Sequence, residues 1–173
     1  MTGRINAFRN AVIADIKVIL PAATVEPQFG RFNLDELERT SIRCPAVRVA
    51  VLLGKLFDQA VGQCEVSLQC AAFIITDGKD RDEKGWTMAE AIATRLHSGQ
   101  LWGLVRVGAP EKPAIQPVIS ASIKDRGVAI MAVEWSQTIR RLGENIFDVQ
   151  GVALSELYVN GEEIDLPAPE GQP

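Results

Sequence analysis

Few residues of the kinds that usually carry enzymatic chemistry occur in this chain. It contains one histidine, His97, and three cysteines, Cys44, Cys64 and Cys70. Three cysteines without metal-like spacing favour free thiols, which mostly behave as small buried hydrophobic residues. A zinc site with one histidine and no paired cysteines would have to be mostly carboxylate, which is uncommon for zinc. His97 falls at a predicted helix end, where the helix dipole explains it without catalysis.

The densest group of carboxylates lies at Asp77, Asp80, Asp82 and Glu83. Oxygen ligands of this kind suit calcium or magnesium, but the spacing is not that of an EF-hand loop and basic residues interrupt it. We therefore interpret 77–85 as a solvated loop. The nucleotide-binding glycine motifs and the Gly-x-Ser-x-Gly motif are also missing. We expect no catalytic residue, no metal and no cofactor.

Length and composition favour one soluble α/β domain. A chain of 173 residues with 47% hydrophobic content is long enough for a proper core. The net charge of −4 argues against a nucleic-acid footprint, which is usually basic. No apolar run reaches the roughly 18 residues of a membrane span, and the amphipathic start does not resemble a signal peptide. We expect a protein of the reducing cytoplasm, without membrane or sequence-specific nucleic-acid partners.

The longest predicted strand is Gln63 to Thr76. Its even positions are all small or apolar, so one face is buried throughout. Its odd positions are polar up to Gln69 and apolar afterwards, so the other face is buried only in the second half. Val128 to Ile139 shows the same half-buried pattern, which predicts that the two strands are partners in one sheet. At roughly 3.3 Å per residue the first strand would span about 45 Å, and we expect it to reach a neighbouring subunit.

Periodicity and capping patterns predict the remaining elements. A first helix runs from Thr2 to about Leu20, and a second follows the capping-box pattern Thr87 to Glu90 and ends near His97. In the strand predicted at 45–53, the side chains of Val47, Val49, Val51 and Leu53 share a face. Further expectations are a short helix at 34–39 within the long connection 21–44, a connection at 54–62, strands at 104–107 and 118–123, a turn at 124–127, and a hairpin around Asn160-Gly161.

The order of these elements resembles a known family. An amphipathic helix and a phenylalanine-bearing linker precede the strand entry Arg43-Cys-Pro-Ala-Val-Arg-Val-Ala. There follow the strand ending Ala72-Phe-Ile-Ile-Thr, the helix Ala89-Glu-Ala-Ile-Ala, Leu101-Trp-Gly-Leu, and a strand pair ending Gly127-Val-Ala-Ile-Met-Ala-Val-Glu-Trp. Over roughly residues 1–142, this order is similar to that of the phage Mu-like tail terminator (tail completion) proteins of long-tailed bacteriophages.

The resemblance implies an α/β (α+β) fold with a mixed, mainly antiparallel sheet and two main helices packed on one face. It also implies a homohexameric ring in the virion, at the head-proximal end of the tail, assembled in the host cytoplasm. Such a ring ends tail-tube polymerisation and provides the head-tail joining surface. The implied partners are further copies of the chain, the tube protein and head-completion or connector proteins, with the sheath protein as an additional candidate. Residues 143–173 lie outside the resemblance, and we expect an extension with a hairpin and a flexible tail.

Two surfaces are predicted to make subunit or tube contacts: the far end of the sheet and the C-terminal hairpin. The candidate interface residues are Val66, Leu68, Arg48, Arg81, Val133, Trp135, Tyr158 and Val159. Two alternatives stay open. One is another phage neck or tail-tube component, and the other is a cytoplasmic small-molecule-binding protein or enzyme, which would have a deep pocket with convergent polar groups.

Overall fold

A computed structural model describes residues 3–32, 42–58, 64–118 and 127–143, and the backbone of 157–159 and 162–164. The elements are α1 (Arg4–Ile19), β1 (Thr24–Phe29), β2 (Ala46–Asp58), β3 (Cys64–Asp77), α2 (Arg81–His97), β4 (Glu111–Pro117) and β5 (Val128–Ile139). The two helices pack on one face of a five-stranded sheet of order β1-β2-β3-β5-β4. β1 is parallel to β2, and the other neighbours are antiparallel. The predicted α+β class is therefore confirmed.

The face of the sheet covered by α1 and α2, here called the helix face, carries the main core. In α1 the buried side chains of Phe8, Val12 and Ile16 recur every four residues and form part of the predicted apolar stripe. The even-numbered residues of β3 lie beneath the helices, as their uniform apolar character predicts. This core joins α1 and α2 to β3 through Phe8, Val12, Ile16, Met88, Ile92, Leu96, Val66, Leu68, Cys70, Ala72 and Ile74.

β3 and β5 are paired from Val66↔Ile139 to Asp77↔Val128, which confirms the predicted partnership. On the far face, opposite the helices, the second half of β3 and the first half of β5 are buried. Phe73 packs there against Phe32, with ring centroids 6.0 Å apart. On the same face, the first half of β3 and the second half of β5 are polar and partly exposed, as the alternation predicts.

Three strand predictions need correction. β1 lies inside the segment expected to be a connection. β2 continues to Asp58, through the predicted connection at 54–62, because its pairing with β3 extends to Asp58↔Cys64. β4 (Glu111–Pro117) lies where the sequence predicts no strand, and the segment 104–107, expected to be a strand, contributes a single bridge, Val107↔Ile139. The predicted helix at 34–39 and most of the predicted 118–123 strand lie outside the described residues.

The start of α2 also differs from the prediction. Asp77 ends β3 and the helix begins at Arg81, so only residues 78–80 of the charged segment 77–85 form a loop, and Thr87 lies inside the helix. The hydroxyl of Thr87 donates a hydrogen bond to the carbonyl of Glu83 at 2.9 Å instead of capping the helix. Gly85, which sequence alone marks as a loop residue, is needed at a close approach: a Cβ there would lie 3.1 Å from Met131 Cγ.

The predicted C-terminal hairpin is present in the backbone. β6 (Leu157–Val159) pairs with β7 (Glu162–Ile164) in antiparallel register, with Leu157 opposite Ile164. These strands form a two-stranded sheet of their own, separate from the five-stranded sheet.

Candidate assembly surface

The candidate site is the final segment of β2, residues 53–58, here called the distal segment. β1 pairs with β2 only from Ala46 to Val51. Among the described residues, no strand continues along that side of β2 after Val51. Within the described part of the chain, the backbone donors and acceptors of this edge therefore have no strand partner.

A bulge at Leu52 sets the orientation of the distal segment. Val51 lies opposite Cys70 and Leu53 lies opposite Gln69, so Leu52 is an extra residue in β2. Because an extra residue reverses the alternation of side chains, Leu53 lies on the far face. The prediction that Leu53 shares a face with Val47, Val49 and Val51 is therefore wrong.

The distal segment exposes large apolar side chains on both faces. Leu53 and Phe57 lie on the far face and are 44% and 50% exposed, and Leu56 on the helix face is 63% exposed. Phe29 is 95% exposed and ends β1 at the position opposite Val51, where the pairing of β1 stops. An unpaired strand edge bordered by apolar side chains is the geometry that accepts a strand from another chain.

The other edges of the sheet carry features that discourage strand addition. β4 contains Pro113 and Pro117, its pairing with β5 is irregular between Glu111 and Ala114, and Lys112 has a positive φ of 51°. β1 contains Pro27. Proline lacks the backbone N–H that a further strand would need, and irregular pairing bends an edge. The distal segment of β2 contains no proline, so it is the edge best suited to pairing.

The buried side chain of Gln137 holds the segment 100–108 by hydrogen bonds over the end of the sheet that contains the distal segment, here called the distal half of the sheet. Its carbonyl oxygen accepts hydrogen bonds from the indole N–H groups of Trp102 and Trp135, at 2.9 and 3.2 Å. Its amide nitrogen donates to the backbone carbonyls of Gln100 and Gly108, at 3.1 and 2.8 Å. Both polar atoms of this buried amide thus have hydrogen-bond partners, and they join the segment 100–108 to β5.

Four of the predicted interface residues lie in the helix-face core. Val66, Leu68, Val133 and Trp135 are each between 0% and 3% exposed in a single chain. Their selection as contact residues needs correction, since a partner cannot reach them in this fold. The physical reason is that α1, α2 and Trp102 cover the helix face further along β3 than the strand pattern alone indicates.

The two predicted arginines lie apart from each other. Arg48, on the far face of β2, forms an ion pair with Glu26 of β1, and 15% of its side chain is exposed. Arg81 is the first residue of α2, and its carbonyl accepts a hydrogen bond from the hydroxyl of Thr76 at 2.7 Å. Tyr158 and Val159 lie in β6, whose side chains are outside the described part of the structure.

Sequence reasoning missed Leu56 and Phe57, which were assigned to a connection. The available signal was the adjacent apolar pair Leu56-Phe57, which is unusual for an exposed turn. The glycines at positions 54 and 62 masked it because glycine usually marks the ends of a connection. Gly54 instead lies within β2, where a Cβ would approach Val66 Cγ2 to 3.1 Å.

Two of the three cysteines, Cys44 and Cys70, have environments that suppress their reactivity. Burial raises the pKa of the Cys70 thiol to about 12. Burial, and then the charge of Asp77, raise the pKa of Cys44. Both shifts disfavour the thiolate that a nucleophile or metal ligand requires.

The remaining surface offers open grooves. One of about 460 Å³ lies between the helices beside the Asp15–Arg95 ion pair, where Arg95 Nη2 is 2.7 Å from Asp15 Oδ1. That hydrogen bond, and then the charge of Asp15, raise the pKa of Arg95.

Within the described residues, no group of three or more His, Cys, Asp or Glu side chains is placed to hold a metal ion. No helix in the described ranges is long and apolar enough to cross a membrane.

Comparison with known proteins gives no family for this chain. No family model matches it, and none of the curated proteins compared with it is significantly similar. The features of this chain that bear on its function are therefore the surface of β2 and the order of its elements.

Proposed function

We propose that this chain is a structural phage protein that caps the head-proximal end of the tail tube as a ring. The ring ends tube polymerisation and provides the surface on which heads join tails. The protein acts by assembly rather than by catalysis. Its partners are further copies of itself, the tube protein and the head-completion or connector proteins.

The observation that carries this proposal is the open, apolar edge of β2 at residues 53–58. A contact between this edge and a different surface of the next copy is heterologous, and repeated heterologous contacts close into a ring when the rotation between copies is a fixed fraction of a turn. The order of the elements resembles that of the tail terminators, and for this reason we assign the ring to a phage tail. The open grooves between the helices do not have the enclosed form that a small-molecule site would need.

The assembly part of the proposal is tested with a charged substitution in the distal segment. We expect Leu56→Arg to keep the monomer fold, because the side chain is already 63% exposed, and to lower the mass seen by light scattering after size exclusion. Val18→Arg is the matched control, since Val18 is 78% exposed on α1, away from β2. A wild-type chain that is monomeric at every concentration, with or without purified tube, would contradict the proposal.

The biological part is tested in phage particles that lack this protein. Electron microscopy should show tails of uncontrolled length, or tails without heads. A different neck or tube component is the competing assignment. Loss of a tube component would abolish tails altogether, and loss of a neck component that acts only in joining would leave tails of normal length without heads. Tails of uncontrolled length therefore distinguish the proposed function from both.

A further inference from the structure

Two β-structures in this chain are incomplete in complementary ways. The distal segment of β2 is a strand edge without a described neighbour after Val51. The hairpin of β6 and β7 is a sheet of two strands, joined to none of the strands of the larger sheet. An isolated two-stranded hairpin is at best marginally stable in water, so β6 and β7 need a third strand or another surface.

Lys55 gives the middle of the distal segment a charge opposite to that of the hairpin. The distal segment of β2 carries the exposed Lys55 and, at its last position, Asp58, and β7 carries Glu162 and Glu163. Opposite charges on neighbouring strands are favourable, whereas like charges are unfavourable. The prolines of β4 and β1 leave the distal segment as the edge that is best able to accept a strand.

We propose that the β6–β7 hairpin of one copy of this chain adds to the distal segment of β2 in the next copy. The five-stranded sheet of each subunit is thereby extended by the two strands of its neighbour. Leu56 and Phe57, exposed in the single chain, become covered at this junction.

This inference rests on the proposed function, since it names the contact from which the ring is built. Each chain has one donor, the hairpin, and one acceptor, the β2 edge, and these are different surfaces. The contact is therefore heterologous: each copy binds one neighbour through its hairpin and the other neighbour through its β2 edge. Apolar side chains at the edge supply burial, while the backbone hydrogen bonds fix the register.

The first experiment is amide hydrogen exchange on the full-length protein at two concentrations. In the assembled state, the amides of 53–58 and of 157–164 should be protected together, and dilution below the assembly threshold should release both. An assembled ring in which neither segment changes its protection would overturn the inference and leave the proposed function standing. A chain that never assembles would refute the proposed function itself.

The second experiment uses neighbouring proline substitutions, Lys55→Pro and Leu56→Pro. Successive N–H groups of a strand point to opposite sides, so one variant blocks only the open edge and the other also breaks the pairing with β3. The variant that keeps the wild-type circular dichroism and unfolding midpoint should weaken association at least about tenfold. Unchanged association in that variant would overturn the inference.

Charge reversal distinguishes pairing between copies from a general loss of stability. Lys55→Glu and Glu163→Lys should each weaken association, and the double variant should recover part of the loss. If the hairpin instead packs on β2 of its own chain, none of the three variants changes association, and the inference is wrong.

Discussion

Gln137 offers the sharpest test of how the distal half of the sheet is stabilised. Gln137→Leu keeps the approximate size of the side chain but removes its hydrogen-bonding atoms. The indole N–H groups of Trp102 and Trp135 then lose their shared acceptor in residues that are 8% and 3% exposed. A buried donor without a partner costs about 1–3 kcal/mol, so the two indoles together predict a loss of about 2–6 kcal/mol in the free energy of unfolding.

The carbonyls of Gln100 and Gly108 contribute less to this estimate. Both residues are half-buried, so water can replace the lost amide donor. The expected loss therefore arises mainly from the indoles. Because Trp102 and Trp135 pack with ring centroids 6.4 Å apart, their fluorescence should report a loosened 100–108 segment before global unfolding.

The assay is urea unfolding followed by tryptophan fluorescence and circular dichroism, at one protein concentration for all variants because assembly adds to apparent stability. Gln69→Leu is the matched control: Gln69 is an exposed glutamine on β3, and the same change there should alter stability by no more than about 0.5 kcal/mol. A loss below about 1 kcal/mol for Gln137→Leu would refute the role assigned to the indole hydrogen bonds.

Two further predictions concern the core. Burial raises the pKa of Cys70 to about 12, so between about pH 9 and 12 the folded state keeps the thiol proton that the unfolded state has lost. The free energy of unfolding should therefore fall as the pH rises through this range, by at most about 1.4 kcal/mol per pH unit. Chemical denaturation at each pH should show a shallower decline for Cys70→Ala than for the wild type. Gly85→Leu should cost about 1–3 kcal/mol by overpacking against Met131 and Thr76, whereas Lys84→Leu on the exposed side of α2 should be nearly neutral in the same urea titration.

The candidate site was only partly predictable. The sequence pattern indicated that β3 and its partner strand extend beyond the rest of the domain, and that the assembly surface would lie near the ends of these strands. It assigned the contact to the apolar positions Val66 and Leu68, which the structure places in the core. Strand periodicity tells which residues share a face, but not how far along that face a helix extends.

The beginning of α2 shows the same limit. Charge, glycine content and a capping-box pattern all favoured a loop up to Gly85 and a helix after Thr87. The helix nevertheless begins at Arg81 because Asp82 and Glu83 suit the positive end of a helix and Gly85 permits close packing against Met131. Local signals could not reveal that packing, since Met131 is distant in sequence.

The amino-acid sequence by itself determined the parts of this protein that depend on periodicity. These are the amphipathic α1, the long β3 with its change from two buried faces to one, its pairing with β5, and the C-terminal hairpin. Only the tertiary structure decided which edge of the sheet stays open. The extra residue Leu52 reverses the faces on which the side chains of the distal segment of β2 lie, and β1 ends at Phe29. Both effects depend on register between strands, a long-range property that no local pattern specifies.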